Sequence, residues 1–246
     1  MDIRKSLRVS LLDLRRALTG RWFVIALLAT LGTLLVAIGR DLLHLDDWMM
    51  YGSEPRWDDL LRQGMQGQFA ALTLPALSAL PAAGQALLEV QTGTARYSIF
   101  RAGWRHYVLG KTLACLLGGV LAQALAFLLL LGALQGIRIR VLAAPFPLNS
   151  LDGALSMGLA RAICGGIWVA VGSALALMTE TPSAATIGPL CLFYTLLMVG
   201  TRFFPTVPAV NPVNWLGGPS GWLLLGLLVS ALGLALVLHR KVHDHA

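Results

Sequence analysis

Charge is what this sequence has least of. Only 13% of its residues are Asp, Glu, Lys or Arg, about half the share usual in soluble domains. With 57% hydrophobic residues in a chain of 246, one soluble core could not hide the apolar surface. Chemistry-bearing groups are scarce too. There is no G-x-x-x-x-G-K-[ST] loop to cradle ATP phosphates and no H-E-x-x-H zinc helix. The long apolar runs hold no His and no paired acids, and Ser156 and Ser173 have no evident partner, which argues against an intramembrane hydrolase. Proton-coupled transport wants a membrane-buried acid, and only Glu89 approaches one, from the edge of a run. Cys115, Cys164 and Cys191 each sit inside a hydrophobic run without metal spacing and read as buried thiols. The loosely spaced His239, His243 and His245 read as a solvated basic end rather than a metal site, so no cofactor is expected to bind the chain directly.

Long apolar runs are what is there. Each approaches the ~20 residues a helix needs to cross a bilayer, and a spanning helix satisfies its own backbone. The expected fold is all-α integral membrane, one domain over 1–246, with six transmembrane helices. The spans run roughly Trp22–Ile38, Phe69–Leu88, Leu109–Leu134, Leu155–Leu177, Ala184–Phe203 and Trp222–Leu238. Pro75 and Pro81 are expected to kink the second, because each removes a backbone donor; Pro189 falls in the fifth. The polar stretch 40–68, with Asp41, Asp46, Asp47, Glu54, Asp58 and Asp59 against Arg40, Arg56 and Arg62, is placed outside the membrane. Within it, Ser53 and Pro55 suit the opening of a short helix. The MTETPS turn between spans four and five is so short that those helices should be antiparallel neighbours.

Residues 1–21 form a basic start with Ile3, Leu7, Leu11, Leu14 and Leu18 at helical spacing, the pattern of an amphipathic helix on a membrane surface. The apolar run after it is too long for a signal-peptide h-region and closes without a small-residue cleavage pattern, so it is expected to stay. Basic residues favour one side. Six Lys/Arg lie in the N-terminal helix, four between Arg96 and Lys111 and two at Arg240 and Lys241, against about six opposite. The positive-inside rule then puts both termini in the cytoplasm. The net charge of +7 belongs to these short flanks, not to a separate polar face, and nucleic acid is not an expected partner.

The segment 89–111 is the most informative. Glu89 closes span two and Gly93 permits a sharp break. Phe100, Trp104 and Val108 then fall on one helical face beside Arg96, Arg101 and Arg105. Two readings stand here: a helix that presses into a protein partner, or one that rests on anionic lipid. This order of features, with Tyr107 and Lys111 leading into span three, resembles the ATP-binding-cassette type-2 exporter permeases. Similar too are the amphipathic first helix, the short turn between spans four and five, and the Pro-rich stretch before span six. The resemblance implies that 89–111 is a coupling helix docking on an ATPase through Glu89, Gly93, Arg96, Phe100, Arg101, Trp104, Arg105 and Lys111. It also implies two ATPase subunits carrying ATP and Mg, and a second permease copy or a related permease in a bacterial inner membrane. The chain itself would be no enzyme. Span two and span five, with Pro75, Pro81, Pro189 and Arg161, would line the pathway. Length and single-domain form look similar to bacteriocin or lantibiotic immunity permeases, which suggests a hydrophobic or peptide cargo. Departures are the long acidic segment after span one and Glu180 where a basic residue is expected.

The stretch 202–219 is too Pro-rich for a spanning helix and too apolar for a plain loop. It reads either as an external loop or as a re-entrant hairpin, and the resemblance implies the second. Arg161 is the clear cation inside a span. It is a functional candidate by default, while its position about two turns from the external end favours snorkelling to the headgroups. A membrane scaffold or sensor whose partner docks on the same basic helix is the rival function, and an intramembrane enzyme the weaker one.

Overall fold

The computed structural model describes residues 3–43, 57–142 and 148–244. Among them the chain is helical, with no strand. The helices are α1 (Ile3–Thr19), α2 (Arg21–Leu43), α3 (Trp57–Gln66), α4 (Gln68–Ala79), α5 (Gln85–Gln91), α6 (Thr94–Ala102), α7 (Trp104–Leu142), α8 (Leu148–Thr179), α9 (Ala184–Arg202) and α10 (Gly221–Asp244). Five of them, α2, α7, α8, α9 and α10, are long and apolar enough to cross a membrane. They coincide with five of the six expected spans. At about 1.5 Å per residue, α7 with its 39 residues is far longer than a hydrocarbon core of about 30 Å.

The second expected span is not one helix. It is divided into α4 and α5 by a run of turns over 80–84. Pro81 lies in that run and has no N–H to donate to the preceding turn. The chain closes with Ala83 N–H to Ala79 O at 2.9 Å and Gln85 N–H to Ala82 O at 3.1 Å, and the Gln85 side chain donates to Pro81 O at 3.0 Å. What the sequence suggests as a kink is therefore a break. Pro75, by contrast, sits buried inside α4.

Helices α7 and α8 form the spine. Three facing pairs run antiparallel along it: Gly119 with Gly165, Gln123 with Arg161, and Phe127 with Gly158. A Cβ on Gly119 would lie 2.5 Å from Gly165 O, and one on Gly165 would lie 2.7 Å from Gly119 O. Small residues allow such approach where lipid gives no hydrophobic drive for helix association. Helix α9 turns back on α8, with Pro189 buried against Gly172.

Part of the stretch 40–68 packs into the bundle as α3. The Ser53 and Pro55 opening lies outside the described residues, as do Asp46, Asp47, Glu54 and Arg56. Helix α3, however, buries Leu60, Leu61 and Met65 beside Leu34, Ile38, Phe127 and Leu130. The polar residues Asp58, Asp59, Arg62, Gln63 and Gln66 around it hide this apolar stripe from a hydropathy reading. Cys115 and Cys164 are buried thiols, but Cys191 is exposed on α9: α9 meets the bundle through Ala185, Pro189 and Phe193, and residue 191 points the other way.

After α9 the chain folds back. Asn211 packs against Gly200, Trp215 donates its indole N–H to Ala209 O at 2.9 Å, and its ring stacks on Trp168 at 6.1 Å. Trp168 also meets Phe193, nine residues into α9, edge-on at 5.7 Å. The segment thus reaches inward past the last turns of α9. Leu216 is buried there.

Candidate functional site: a braced polar cluster beneath an exposed basic helix

The two breaks that flank α6 are both glycine-based. Gly93 adopts φ +72° and Gly103 φ +83°, the left-handed region that side chains other than glycine's rarely enter. Helix α5 closes on Thr92 N–H to Leu88 O at 2.9 Å, and the Thr92 hydroxyl backs this with a bond to the same carbonyl at 2.8 Å. Gly103 N–H then closes α6 on Ile99 O at 2.7 Å, and Gly103 O receives Tyr107 N–H at 3.0 Å as α7 begins. The break at Gly93 matches the sequence reading. The break at Gly103 does not: Phe100, Trp104 and Val108 cannot share one helical face. Phe100 is 94% exposed at the end of α6, Trp104 is partly exposed on α7, and Val108 is buried.

Beneath α6 lies a buried ionic cluster. Lys111 Nζ donates to Glu89 Oε1 at 2.6 Å and to Asp13 Oδ2 at 3.4 Å, and the Tyr107 hydroxyl donates to Glu89 Oε2 at 3.0 Å. The Lys111 side chain is 1% exposed. Helices α1, α5 and α7 are thereby tied at one point. Burial holds the Asp13 carboxyl above the usual carboxylate range and Glu89 adds to the rise, while Lys111 acts in the opposite direction. Helix α1 packs on α7 through Asp13 and Ala17, whereas Leu11 and Leu12 face outward. Hydropathy alone gives no warning of this. The usable signal is that Asp13 is the lone acid between Ile3 and Thr19.

The α8–α9 turn meets α5 and α10. Glu180, at φ +57°, accepts from Lys241 of α10, and its backbone carbonyl accepts from Gln91 Nε2 at 3.1 Å. Hence the acid that is unexpected in the α8–α9 turn pairs with the basic C-terminal helix. Arg105 lies over the Trp104 ring at 5.4 Å, and that ring also meets His239 edge-on at 4.5 Å. Arg96, Tyr97, Phe100 and Arg101 form the exposed surface of α6.

A second polar chain runs through the interior of the bundle. Arg161 Nε donates to Gln123 Oε1 at 3.1 Å and its Nη1 to Met65 O at 3.3 Å. Gln123 Nε2 donates to the Ser78 hydroxyl at 2.9 Å, which donates to Leu74 O at 2.6 Å. Arg161 is 0% exposed, so it does not snorkel. Its guanidinium meets the C-terminal end of α3, where orphan carbonyls and the helix dipole favour a cation. Arg161→Lys is expected to cost about 1–3 kcal/mol, since a single ammonium cannot hold Gln123 and the Met65 carbonyl in the same fork. Thermal unfolding in detergent checks this, and an unchanged midpoint would refute the role.

Of the residues tied to coupling by resemblance, the structure thus brings Glu89 and Lys111 together in the brace. Arg96, Phe100 and Arg101 lie on the exposed face of α6, and Trp104 and Arg105 at the start of α7. Pro75, Pro189 and Arg161 lie inside the packed bundle and Pro81 in the α4–α5 break. No known family's sequence pattern matches the chain, and no curated protein does.

Proposed function

We propose that this chain is the permease subunit of an ATP-binding-cassette exporter in a bacterial cytoplasmic membrane. Two copies, or this chain and a related one, would enclose the pathway, with two separate ATPase subunits beneath. The observation that carries this reading is α6. It is a short basic helix with a solvent-facing Phe100, set off by glycine breaks on both sides and mounted on a buried brace. A large apolar side chain exposed among cations suits a protein-binding face. Force applied to α6 would pass through Gly93 to α5 and through Glu89 and Lys111 to the foot of α7.

In this account α4 and α5 together make the second of six crossings, both termini lie in the cytoplasm, and the stretch 202–219 is re-entrant on the outer side. The inward reach of Trp215 to Trp168 supports that last point. The alternation of ends supports the topology: Gln91, Glu180 and Lys241 meet at one end, while Gly217 approaches Gln66 at the other. Helices α4 and α9 are the proposed pathway walls, and a hydrophobic peptide the proposed class of cargo.

A non-transporting scaffold would use the same α6 face for its partner. Vesicles reconstituted with chain and ATPase separate the two: a permease gives ATP-dependent movement of a fluorescently labelled hydrophobic peptide, and a scaffold gives none.

A further inference from the structure

Arg161 has more hydrogen-bonding capacity than its surroundings use. Its Nε and Nη1 are taken by Gln123 and the Met65 carbonyl, but Nη2 is buried without a partner. Among the described residues no carboxylate pairs with the guanidinium. Arginine stays ionised in proteins, so a full positive charge stands inside the bundle against neutral groups alone. Folded proteins leave few buried donors unpaired, and each one calls for a reason. A charge held inside a membrane bundle points first to a ligand.

The cover over Arg161 is slight. Helix α3 is ten residues long, joins α4 through the single extended residue Gly67, and grips the guanidinium by one bond of 3.3 Å, from Nη1 to Met65 O. Lifting α3 would release Nη1 beside the unpartnered Nη2, and those two nitrogens form an edge of the guanidinium that takes both oxygens of a carboxylate. Nε would stay on Gln123, which is tied through Ser78 to α4, so the fork would keep its aim. The surroundings are apolar: Ala160 and Cys164, on either side of Arg161 along α8, pack with Ala71 and Leu74 of α4. We propose that Arg161 is an occluded binding site for a carboxylate at the end of an apolar chain, covered by α3 and reached when α3 lifts. Within the exporter reading, on which this rests for its cargo, the carboxylate is the free C-terminus of the hydrophobic peptide. Binding by the chain alone needs no ATPase, so loss of binding and loss of ATP-dependent movement are separate failures.

The test titrates the full chain, in phosphatidylcholine nanodiscs, with N-dansyl-trileucine as free acid and as C-terminal amide, read by fluorescence anisotropy. The acid should bind about tenfold tighter, the effect of a bidentate charge-assisted pair. Arg161→Gln should erase the difference, while Arg161→Lys, which keeps the charge without the fork, should keep part of it. Gly64→Leu leaves Arg161 in place and forces α3 off α2, since even a Cβ at Gly64 would lie 2.7 Å from Ile38 Cγ2. The acid should then associate severalfold faster, a readout that stands even where Arg161→Gln does not fold. Competition by decanoate would support the site and assign it to fatty acids rather than peptides. Equal affinity for acid and amide overturns the proposal, as does an acid preference that survives Arg161→Gln or an association rate unmoved by Gly64→Leu. Displacement by acetate at the peptide's own concentration would also overturn it, because the apolar chain would then play no part.

Discussion

Lys111→Met is expected to destabilise the protein by about 3–5 kcal/mol, because it leaves Glu89 and Asp13 facing each other in a buried site without their cation. The 1% exposure of Lys111 is what raises this above an ordinary ion pair. Glu180→Gln, which removes a pair at the solvent-exposed turn, should cost no more than about 1 kcal/mol. Two further variants separate charge from packing. Glu89→Gln should cost less than Lys111→Met, since one carboxylate, Asp13, still offsets the ammonium. Replacing Asp13, Glu89 and Lys111 together by Asn, Gln and Met should recover much of the loss, as whole buried clusters often exchange for neutral groups at little cost. Thermal unfolding in detergent reads all four. If Lys111→Met and Glu180→Gln shift the midpoint equally, Lys111 does not brace α1 and α5 to α7.

Gly165→Val should be strongly damaging to the spine. The atoms in its way are the Gly119 carbonyl at 2.7 Å and the Gln123 Cγ at 2.6 Å, and backbone cannot step aside as a flexible side chain can. Overpacking a well-filled core costs about 1–3 kcal/mol. Here the separation of α7 from α8 would also stretch the Arg161–Gln123 bond one turn away, at a further cost of about 1–3 kcal/mol. Gly132→Val is the control, since nothing lies within 4 Å of a Cβ at that position. A large fall in folded yield and unfolding temperature for Gly165→Val alone is the expected outcome. Equal behaviour of the two variants would mean that the α7–α8 contact is looser than described.

Hydropathy made five spans legible because a spanning helix must be both long and apolar, and α2, α7, α8, α9 and α10 are both. It failed at the second span for a local reason: the apolar run continues from α4 through Pro81 to Leu88, and the missing Pro81 donor, not a change of composition, decides the break. Gly93 was readable as a break because it follows an acid-closed run. Gly103 was not, because the periodicity of Phe100, Trp104 and Val108 continues through it. The polar partners were the least accessible. Arg161 looks like a snorkelling residue until Gln123 and Met65, 38 and 96 positions away, are seen to meet it. Likewise the sequence offers Glu89 either an ion pair or a partner contact, and its pairing with Lys111 across 22 positions, which ties α5 to α7, shows only in the fold.

The central claim, a permease powered from outside its own chain, is met most directly by isolating the protein from its native membrane in mild detergent and assaying the product for ATP hydrolysis. The account predicts an ATP-hydrolysing subunit present at one copy per permease chain, released when Phe100 and Arg101 are replaced together by Ala and Glu. A chain that comes through without ATPase activity, or an ATPase indifferent to the Phe100 and Arg101 changes, would contradict it.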